Sequence, residues 1–353
     1  MSPRKNRGTK KRSSTTSTRK ANRGVDTAMA GERPAKLAIR ELWLEQAQYF
    51  DQLYPEDDVP LYLTLSGAEA RDIRLLAQNN LITLTEVEGI ATESQERVVA
   101  IEANKLAVLE LQKQLPGLKI LEYNFKEIIH GDSLVRFPTG DHEKFCCAKI
   151  VNLDIQASLH ETEIEGAVEF PVLTWVRKIS QLHATKKPGV EWCLCLTLNG
   201  TLSSRHTDGS IIWSPTVSRV IQNFLKENFQ LSTEFATSCQ SLFGNDMYRR
   251  VCGDALLNLG ILSQEEQQKL LMVFVPKKIA QLVRDQNWRL RTTWNLRYGG
   301  RGGHAPMVTW VLSFIWDPRA TSTPDAVYRD SLNGILASAG RIEDDGRITS
   351  VIN

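Results

Sequence analysis

The 353-residue sequence lacks several features that would place it in other classes of protein. Its six cysteines are too few for a disulfide framework in a chain of this length, and two of them, Cys146 and Cys147, are adjacent, so we expect reduced thiols. No apolar run approaches the roughly eighteen residues of a transmembrane helix. The first residues are basic and rich in Ser and Thr, without the apolar region of a secretory signal. These absences predict a soluble, cytoplasmic protein without a membrane partner.

Several catalytic motifs are also missing. A G-x-S-x-G nucleophile elbow does not occur, so no motif in the sequence supports a hydrolase. The first strand-to-helix turn carries no G-x-G-x-x-G, which argues against a dinucleotide-dependent dehydrogenase. Zinc spacings of the type C-x-x-C or H-x-x-x-H are absent, and we expect no metal site.

Charge is distributed unevenly along the chain. Residues 1–25 contain nine Lys and Arg residues and no acid, whereas the rest of the chain contains 34 basic and 41 acidic residues. Because this first segment has no apolar face to offset the entropy of ordering, we predict a disordered basic arm over residues 1–33. Such an arm serves either as a solubilising tail or as a contact to the phosphates of a nucleic acid.

The apolar pattern beyond the arm predicts strands and helices in strict alternation. A leading helix at Ala35–Phe50 precedes five apolar segments, which we interpret as strands because each is followed by a turn signal or a helical pattern. The later segments Trp288–Tyr298 and Met307–Trp316 are joined by a glycine-rich connection with Arg301, which is typical of an antiparallel hairpin. The five earlier strands are Leu61–Leu65, Val98–Glu102, Lys119–Tyr123, Cys147–Ile155 and Glu191–Leu198.

This alternation predicts an α/β fold with a doubly wound, mostly parallel seven-stranded sheet, a C-terminal antiparallel strand pair and helical additions. We divide the chain into the arm, a leading helix and linker over 34–60, an α/β domain over 61–318, and a C-terminal helix and tail over 319–353. Helical patterns over about 215–286 indicate an insertion within the α/β domain.

Polar residues follow the predicted strands at the positions where a parallel sheet binds ligands, namely the carboxyl ends of its strands. Gly67 follows the first strand, at a turn where a helix begins. Glu102 ends the second strand, where a carboxylate can accept both hydroxyl groups of a ribose. Asn124 follows the third strand, where an amide can contact an adenine edge. Together these three positions describe a nucleoside site, although Gly67 alone equally suits a tight turn and Glu102 alone a solvent-exposed rim.

The order of elements over Leu61–Pro318 resembles that of class I S-adenosylmethionine-dependent methyltransferases, whose seven-stranded sheet ends in an antiparallel pair. The family's glycine-rich loop is matched by Leu65–Glu69, with a single glycine in place of the usual three. The resemblance implies a ribose contact by Glu102, a polar adenine contact by Asn124, and a motif after the fourth strand at Asn152–Gln156. It thereby implies S-adenosylmethionine as cofactor, bound by Ser66, Gly67, Glu69, Glu102, Asn124 and Asn152.

Asp154 is the candidate catalytic residue, because it follows the fourth strand and is expected at the mouth of the pocket. There it would orient a nucleophile or the amine of the cofactor; the alternative is a helix N-cap. The Asn/Asp-Pro-Pro-aromatic sequence of amino-methylating enzymes is absent, so the residues do not identify the methyl acceptor. We expect a methyltransferase that acts on nucleic acid or on a nucleic-acid-associated protein. The alternative is an inactive methyltransferase-like scaffold that binds nucleic acid or a protein partner.

Overall fold

The computed structural model describes residues 32–55, 59–65, 69–85, 89–122, 144, 146–159, 162–164, 167–202, 204–205, 211–212, 215–227, 229–299 and 305–352. Residues 1–31 of the basic arm, Ser66, Gly67, Asn124 and the Arg301 connection therefore lie outside the described residues. None of the helices in these ranges combines the length and the apolar character needed to cross a membrane.

The fold is mixed α/β, with nine α-helices among the described residues. They are α1 (Pro34–Leu53), α2 (Arg71–Gln78), α3 (Lys105–Gln114), α4 (Pro171–Lys186), α5 (Pro215–Lys226), α6 (Thr233–Phe243), α7 (Asn245–Cys252), α8 (Gln264–Val283) and α9 (Pro324–Gly334). The predicted leading helix thus begins at Pro34, where proline suits the first turn.

The described residues contain thirteen strands. They are β1 (Tyr62–Thr64), β2 (Val98–Ile101), β3 (Lys119–Leu121), β4 (Ile150–Ser158), β5 (Thr162–Ile164), β6 (Ala167–Glu169), β7 (Trp192–Asn199), β8 (Ser204–Arg205), β9 (Ile211–Ile212), β10 (Trp288–Tyr298), β11 (Met307–Trp316), β12 (Ala339–Ile342) and β13 (Ile348–Ser350). Nine of them form one sheet in the order β13-β12-β10-β11-β7-β4-β1-β2-β3, and the other four form two short hairpins.

The sheet is mostly parallel, and it has nine strands rather than the predicted seven. The β3-β2-β1-β4-β7 half is entirely parallel, whereas β11 is antiparallel to both of its neighbours. The two additional strands, β12 and β13, fall in the segment predicted as a polar tail. They are four and three residues long and carry polar residues such as Arg341 and Thr349, so they have no apolar run that could have revealed them.

Helices cover both faces of the sheet, which explains why the central strands are apolar on both sides. In β7, Trp192, Leu194 and Leu196 pack into the core formed with α4 to α9. Cys193 and Cys195 point the opposite way, into the core formed with α1, α2 and α3. The two cysteines therefore share one face of a buried strand.

The hairpin of β10 and β11 has the predicted bounds and the predicted antiparallel direction. A register shift between Thr292 and Trp294 adds one residue to β10. Because side chains alternate along a strand, this bulge changes the face to which later residues point. Leu290 therefore packs with α4 to α9, whereas Leu296 and Tyr298 pack on the side of α1.

Candidate functional site

The strand order reverses at β1, which has β2 on one side and β4 on the other. In open α/β sheets, such a switch point opens a crevice at the carboxyl ends of the strands, where ligands bind. The register places Thr64, Ala100 and Asn152 side by side in one row across the three strands. Asp154 and Glu102 each follow this row by two residues and lie beyond the last residues of β1 and β2, at what we call the carboxyl edge. The prediction that Asp154 ends the fourth strand is wrong, because β4 continues to Ser158.

Asp154 is paired with a lysine from the leading helix. The Nζ of Lys36 donates to Oδ2 of Asp154 at 2.5 Å, and the two side chains are only 10% and 15% exposed. The same ammonium lies 5.5 Å from the ring centre of Trp43, further along the same face of α1. The second carboxylate oxygen, Oδ1, is buried and has no hydrogen-bond partner among the described residues. Asp154 thus carries one neutralised and one unsatisfied oxygen.

Asn152 lies beneath Asp154 on the same face of β4 and is 1% exposed. Its Nδ2 donates to the hydroxyl of Tyr62 on β1 at 2.8 Å. Its Oδ1 is buried, and the described part of the chain offers it no donor. Burial raises the pKa of Tyr62 well above its usual value, with a further contribution from the nearby Asp72, so its hydroxyl stays protonated. β4 therefore carries two buried oxygens for which the described residues supply no donor.

Glu102 is held at the end of β2 by its backbone and its side chain. Its N–H donates to the carbonyl of Leu121 at 3.1 Å, and Oε1 accepts from the N–H of Asn104 at 2.8 Å. The side chain of Asn104 in turn caps α3 by accepting from the N–H of Leu106 at 2.9 Å. The turn after β2 thus fixes Glu102, which is half-exposed, at the carboxyl edge.

Glu69 is directed towards an ion-pair network rather than towards Asn152. Its Oε2 lies 2.6 Å from Nε of Arg71, and the side chain is 68% exposed. Nη1 of Arg71 also contacts Glu32, just before α1, at 2.9 Å. Glu32 in turn pairs with Arg40 at 3.2 Å. This network joins the start of α2 to the start of α1.

Four of the seven predicted site residues are therefore placed by the structure, namely Glu69, Glu102, Asn152 and Asp154. Asn152 and Asp154 lie together, Glu102 occupies the same edge two strands away, and Glu69 belongs to the ion-pair network. Ser66, Gly67 and Asn124 lie outside the described residues and stay predictions.

Two residues of the site were missed by the analysis of the sequence. Lys36 lies on the buried face of α1, three residues before Ile39 and seven before Trp43. A lysine within an apolar stripe is the available signal, since a buried ammonium needs a partner. Tyr298 ends β10, and burial together with the charge of Asp154 raises the pKa of its hydroxyl. The sequence does not reveal that Tyr298 lies on the same side of the sheet as Asp154, because the bulge in β10 changes the face to which Tyr298 points.

Comparisons with known proteins add no assignment to this geometry. No protein-family model matches the chain, and no curated protein is significantly similar to it. Across the described ranges, no group of three or more His, Cys, Asp or Glu side chains is arranged to hold a metal ion. The function therefore has to be inferred from the carboxyl edge and its acceptors.

Proposed function

We propose that the protein is an S-adenosylmethionine-dependent methyltransferase whose site lies at the carboxyl edge of β1, β2 and β4. The observation that carries the proposal is the shared register of these strands, which brings Glu102, Asn152 and Asp154 to one edge at the switch point. Ligand binding at such a crevice is general for open α/β sheets. The parallel half of the sheet and the antiparallel β10–β11 hairpin agree with the resemblance noted in the sequence.

The hydrogen-bond acceptors at the carboxyl edge fit an adenosine compound. Glu102 offers a carboxylate for a ribose diol, and the unsatisfied oxygens of Asn152 and Asp154 require N–H or O–H donors. Because a buried acceptor without a donor costs about 1–3 kcal/mol, a ligand that reaches these oxygens would have to supply amino or hydroxyl groups. Lys36 would hold Oδ2 of Asp154 through its ion pair while Oδ1 accepts from the ligand. When bound, S-adenosylmethionine supplies an activated methyl group.

The protein's own contribution to methyl transfer would be alignment. Asn152 and Asp154 lie on a rigid central strand, and Lys36 and Tyr62 fix their side-chain orientations from two neighbouring elements. Rigid placement of a nucleophile against an electrophile supplies much of the rate enhancement of a bimolecular transfer. We propose nucleic acid, or a protein associated with it, as the substrate class, because residues 1–25 of the arm carry nine basic residues and no acid.

Isothermal titration with S-adenosylmethionine tests cofactor binding directly. We expect the wild type to release heat and Glu102→Ala to bind about 10- to 100-fold more weakly, as for the loss of hydrogen bonds to a charged group. Glu234→Ala is the matched control, since this glutamate is exposed in the first turn of α6. Absence of heat in the wild type, or equal affinity of wild type and Glu102→Ala, would refute the proposal.

The ion pair of Lys36 with Asp154 favours one second candidate, an inactive scaffold. An internal ammonium already satisfies one oxygen of the carboxylate that would face the cofactor. For a scaffold we expect neither the wild type nor Lys36→Met to bind S-adenosylmethionine, while binding of an oligonucleotide persists. For the enzyme we expect the wild type to bind both.

A further inference from the structure

The start of the leading helix contacts the candidate catalytic residue. The Nζ of Lys36 donates to Oδ2 of Asp154, whose side chain is 15% exposed. The other carboxylate oxygen, Oδ1, is buried, and the described residues supply no donor to it. Displacement of the first turn of α1 would remove the ammonium of Lys36 and uncover this carboxylate.

Apolar packing anchors α1 only beyond its first turn. No apolar side chain among residues 33–37 is buried, whereas Ala38 and Ile39 are 8% and 0% exposed. Ile39 belongs to the core that α1 shares with β1, as do Trp43 and Phe50 further along the helix. Segments with few buried apolar contacts open locally at a lower free energy than the core does. The first turn can therefore leave the sheet while the rest of α1 stays packed.

Ion pairs make the main side-chain contacts of this first turn. Oε2 of Glu32 lies 2.9 Å from Nη1 of Arg71, at the start of α2, and 3.2 Å from Nη2 of Arg40, further along α1. The ion pair of Lys36 with Asp154 supplies the contact to the sheet. The position of the first turn therefore depends on charges from three elements, and little on buried apolar area.

We propose that residues 32–37, which we call the lid, open and close over Asp154 while the rest of α1 stays in place, and that this motion controls the access of a ligand to the carboxyl edge. The proposal rests on the proposed function for the identity of the ligand, and not for the motion itself. The hinge is the junction of Leu37 and Ala38, where the buried apolar face of α1 begins.

The two oxygens of Asp154 allow the lid to close again over a bound ligand. Lys36 contacts Oδ2, and Oδ1 has no donor among the described residues. A ligand that donates to Oδ1 and the ammonium on Oδ2 can therefore occupy the same carboxylate together. The lid opens to admit the ligand, closes over it and restores the ion pair. Faster opening of such a lid raises the rates of both ligand association and ligand release.

The first test compares two matched substitutions at opposite ends of α1. Glu32→Gln removes the charge that holds the lid to α2. Asp51→Asn is the control, because it removes the ion pair with Arg97 at the far end of the helix. Hydrogen–deuterium exchange of residues 36–41 should be about 10-fold faster in Glu32→Gln than in the wild type, as for the loss of hydrogen bonds to a charged group. In Asp51→Asn it should change less than about 2-fold, and exchange of residues 43–47 should be unchanged in both variants.

The second test measures whether opening of the lid exposes Asp154. Carboxylates are coupled to glycinamide with a carbodiimide, and mass spectrometry measures the labelling of Asp154 relative to that of the exposed Glu234. Glu32→Gln should raise the labelling rate of Asp154 about 10-fold, because labelling and exchange report the same opening equilibrium. Asp51→Asn should leave this rate unchanged. Fraying of the helix end alone would accelerate exchange without changing the labelling of Asp154.

Three results would overturn the proposal: equal labelling of Asp154 in Glu32→Gln and in the wild type, faster exchange along the whole of α1, or equal effects of the two substitutions. If Glu32→Gln does not fold, Arg71→Gln removes the same ion pair from the side of α2 and should reproduce the expected effects. Both measurements use the protein without ligand, and titration with S-adenosylmethionine on the same samples tests the proposed function separately. Heat release without lid opening refutes only the lid, and lid opening without heat release refutes only the proposed function.

Discussion

Replacing Lys36 by Met tests whether the leading helix completes the site. Met has nearly the length of Lys and keeps its apolar contacts on α1, but it removes the ammonium that lies 2.5 Å from Asp154. Asp154 would then be an almost buried carboxylate with neither oxygen paired among the described side chains, since Oδ1 has no partner there in the wild type. We expect the variant to fold with a clear loss of stability.

The expected loss of unfolding free energy in Lys36→Met follows from the burial of the ion pair between Lys36 and Asp154. Removal of one partner from a buried ion pair costs about 3–5 kcal/mol, because the remaining charge is left desolvated. Since the two side chains retain 10% and 15% of their exposure, we expect the lower value, about 3 kcal/mol. For a chain of 353 residues, an unfolding entropy of about 2.1 cal/mol/K per residue converts this loss to a fall in Tm of about 4 °C.

Urea denaturation and calorimetry measure the effect, and a double-mutant cycle assigns it to the pair. Asp154→Asn combined with Lys36→Met replaces two charges by two neutral side chains of similar size, so more than half of the lost stability should return. The control is Arg249→Ala, which breaks an exposed pair with Asp246 at 3.5 Å. That change should stay below about 1 kcal/mol.

The cycle can also refute the reasoning. If Lys36→Met costs no more than Arg249→Ala, the ammonium does not compensate a buried carboxylate and α1 is not part of the site. If the double variant is as unstable as the sum of the two single variants, Lys36 and Asp154 do not interact. Either result would remove the electrostatic argument for a carboxylate held in place within β4.

Three further predictions concern other parts of the chain. The sequence predicts only a hairpin tip at the glycine-rich connection, so Arg301→Ala and Arg291→Ala should change single-stranded DNA binding equally little in anisotropy titrations. A several-fold loss of affinity for Arg301→Ala alone would contradict this. Burial lowers the pKa of Lys277 from 10.5 to about 8, so the unfolded state binds more protons than the folded state between about pH 8 and pH 10.5. Over this interval the unfolding free energy of the wild type should rise by about 3 kcal/mol relative to that of Lys277→Met. A difference between the two proteins that stays constant with pH in urea titrations would refute this. Gly299→Ala should destabilise more than Gly189→Ala in thermal melts, because both have positive φ but only Gly299 faces opposing backbone; equal losses would contradict this.

The sequence predicts the elements of the fold better than it predicts their pairing. The hairpin strands were predicted to the residue because both are long, rich in β-branched and aromatic residues, and joined by glycines. The strands β12 and β13 were missed because β12 gains its stability by pairing in parallel with β10, a contact that no local pattern encodes. The bulge in β10 was equally invisible, although it decides which face Tyr298 joins.

The site shows the same division between local and distant information. Strand alternation places Asn152 and Asp154 on one face of β4. The apolar run predicted a strand end at Ile155, whereas β4 continues to Ser158 and keeps Asp154 within the strand. The partner of Asp154 is 118 residues away on a helix that the sequence predicted as a separate leading segment. A lysine on an apolar stripe signals that a partner exists but does not identify it.

This dependence on the leading helix connects the stability of the fold to occupancy of the site. The core under α1 is shared by Ile39, Trp43 and Phe50 with residues of β1 and β4, and Lys36 adds the ion pair at the carboxyl edge. Among the described residues, Oδ1 of Asn152 and Oδ1 of Asp154 have no donor. A ligand that supplies one to the folded protein and not to the unfolded chain would raise the unfolding free energy. By the same linkage, a change that loosens α1 must weaken such a ligand even if it touches none of its atoms. The leading helix is therefore a structural part of the candidate site, and its packing sets how firmly Asp154 is held.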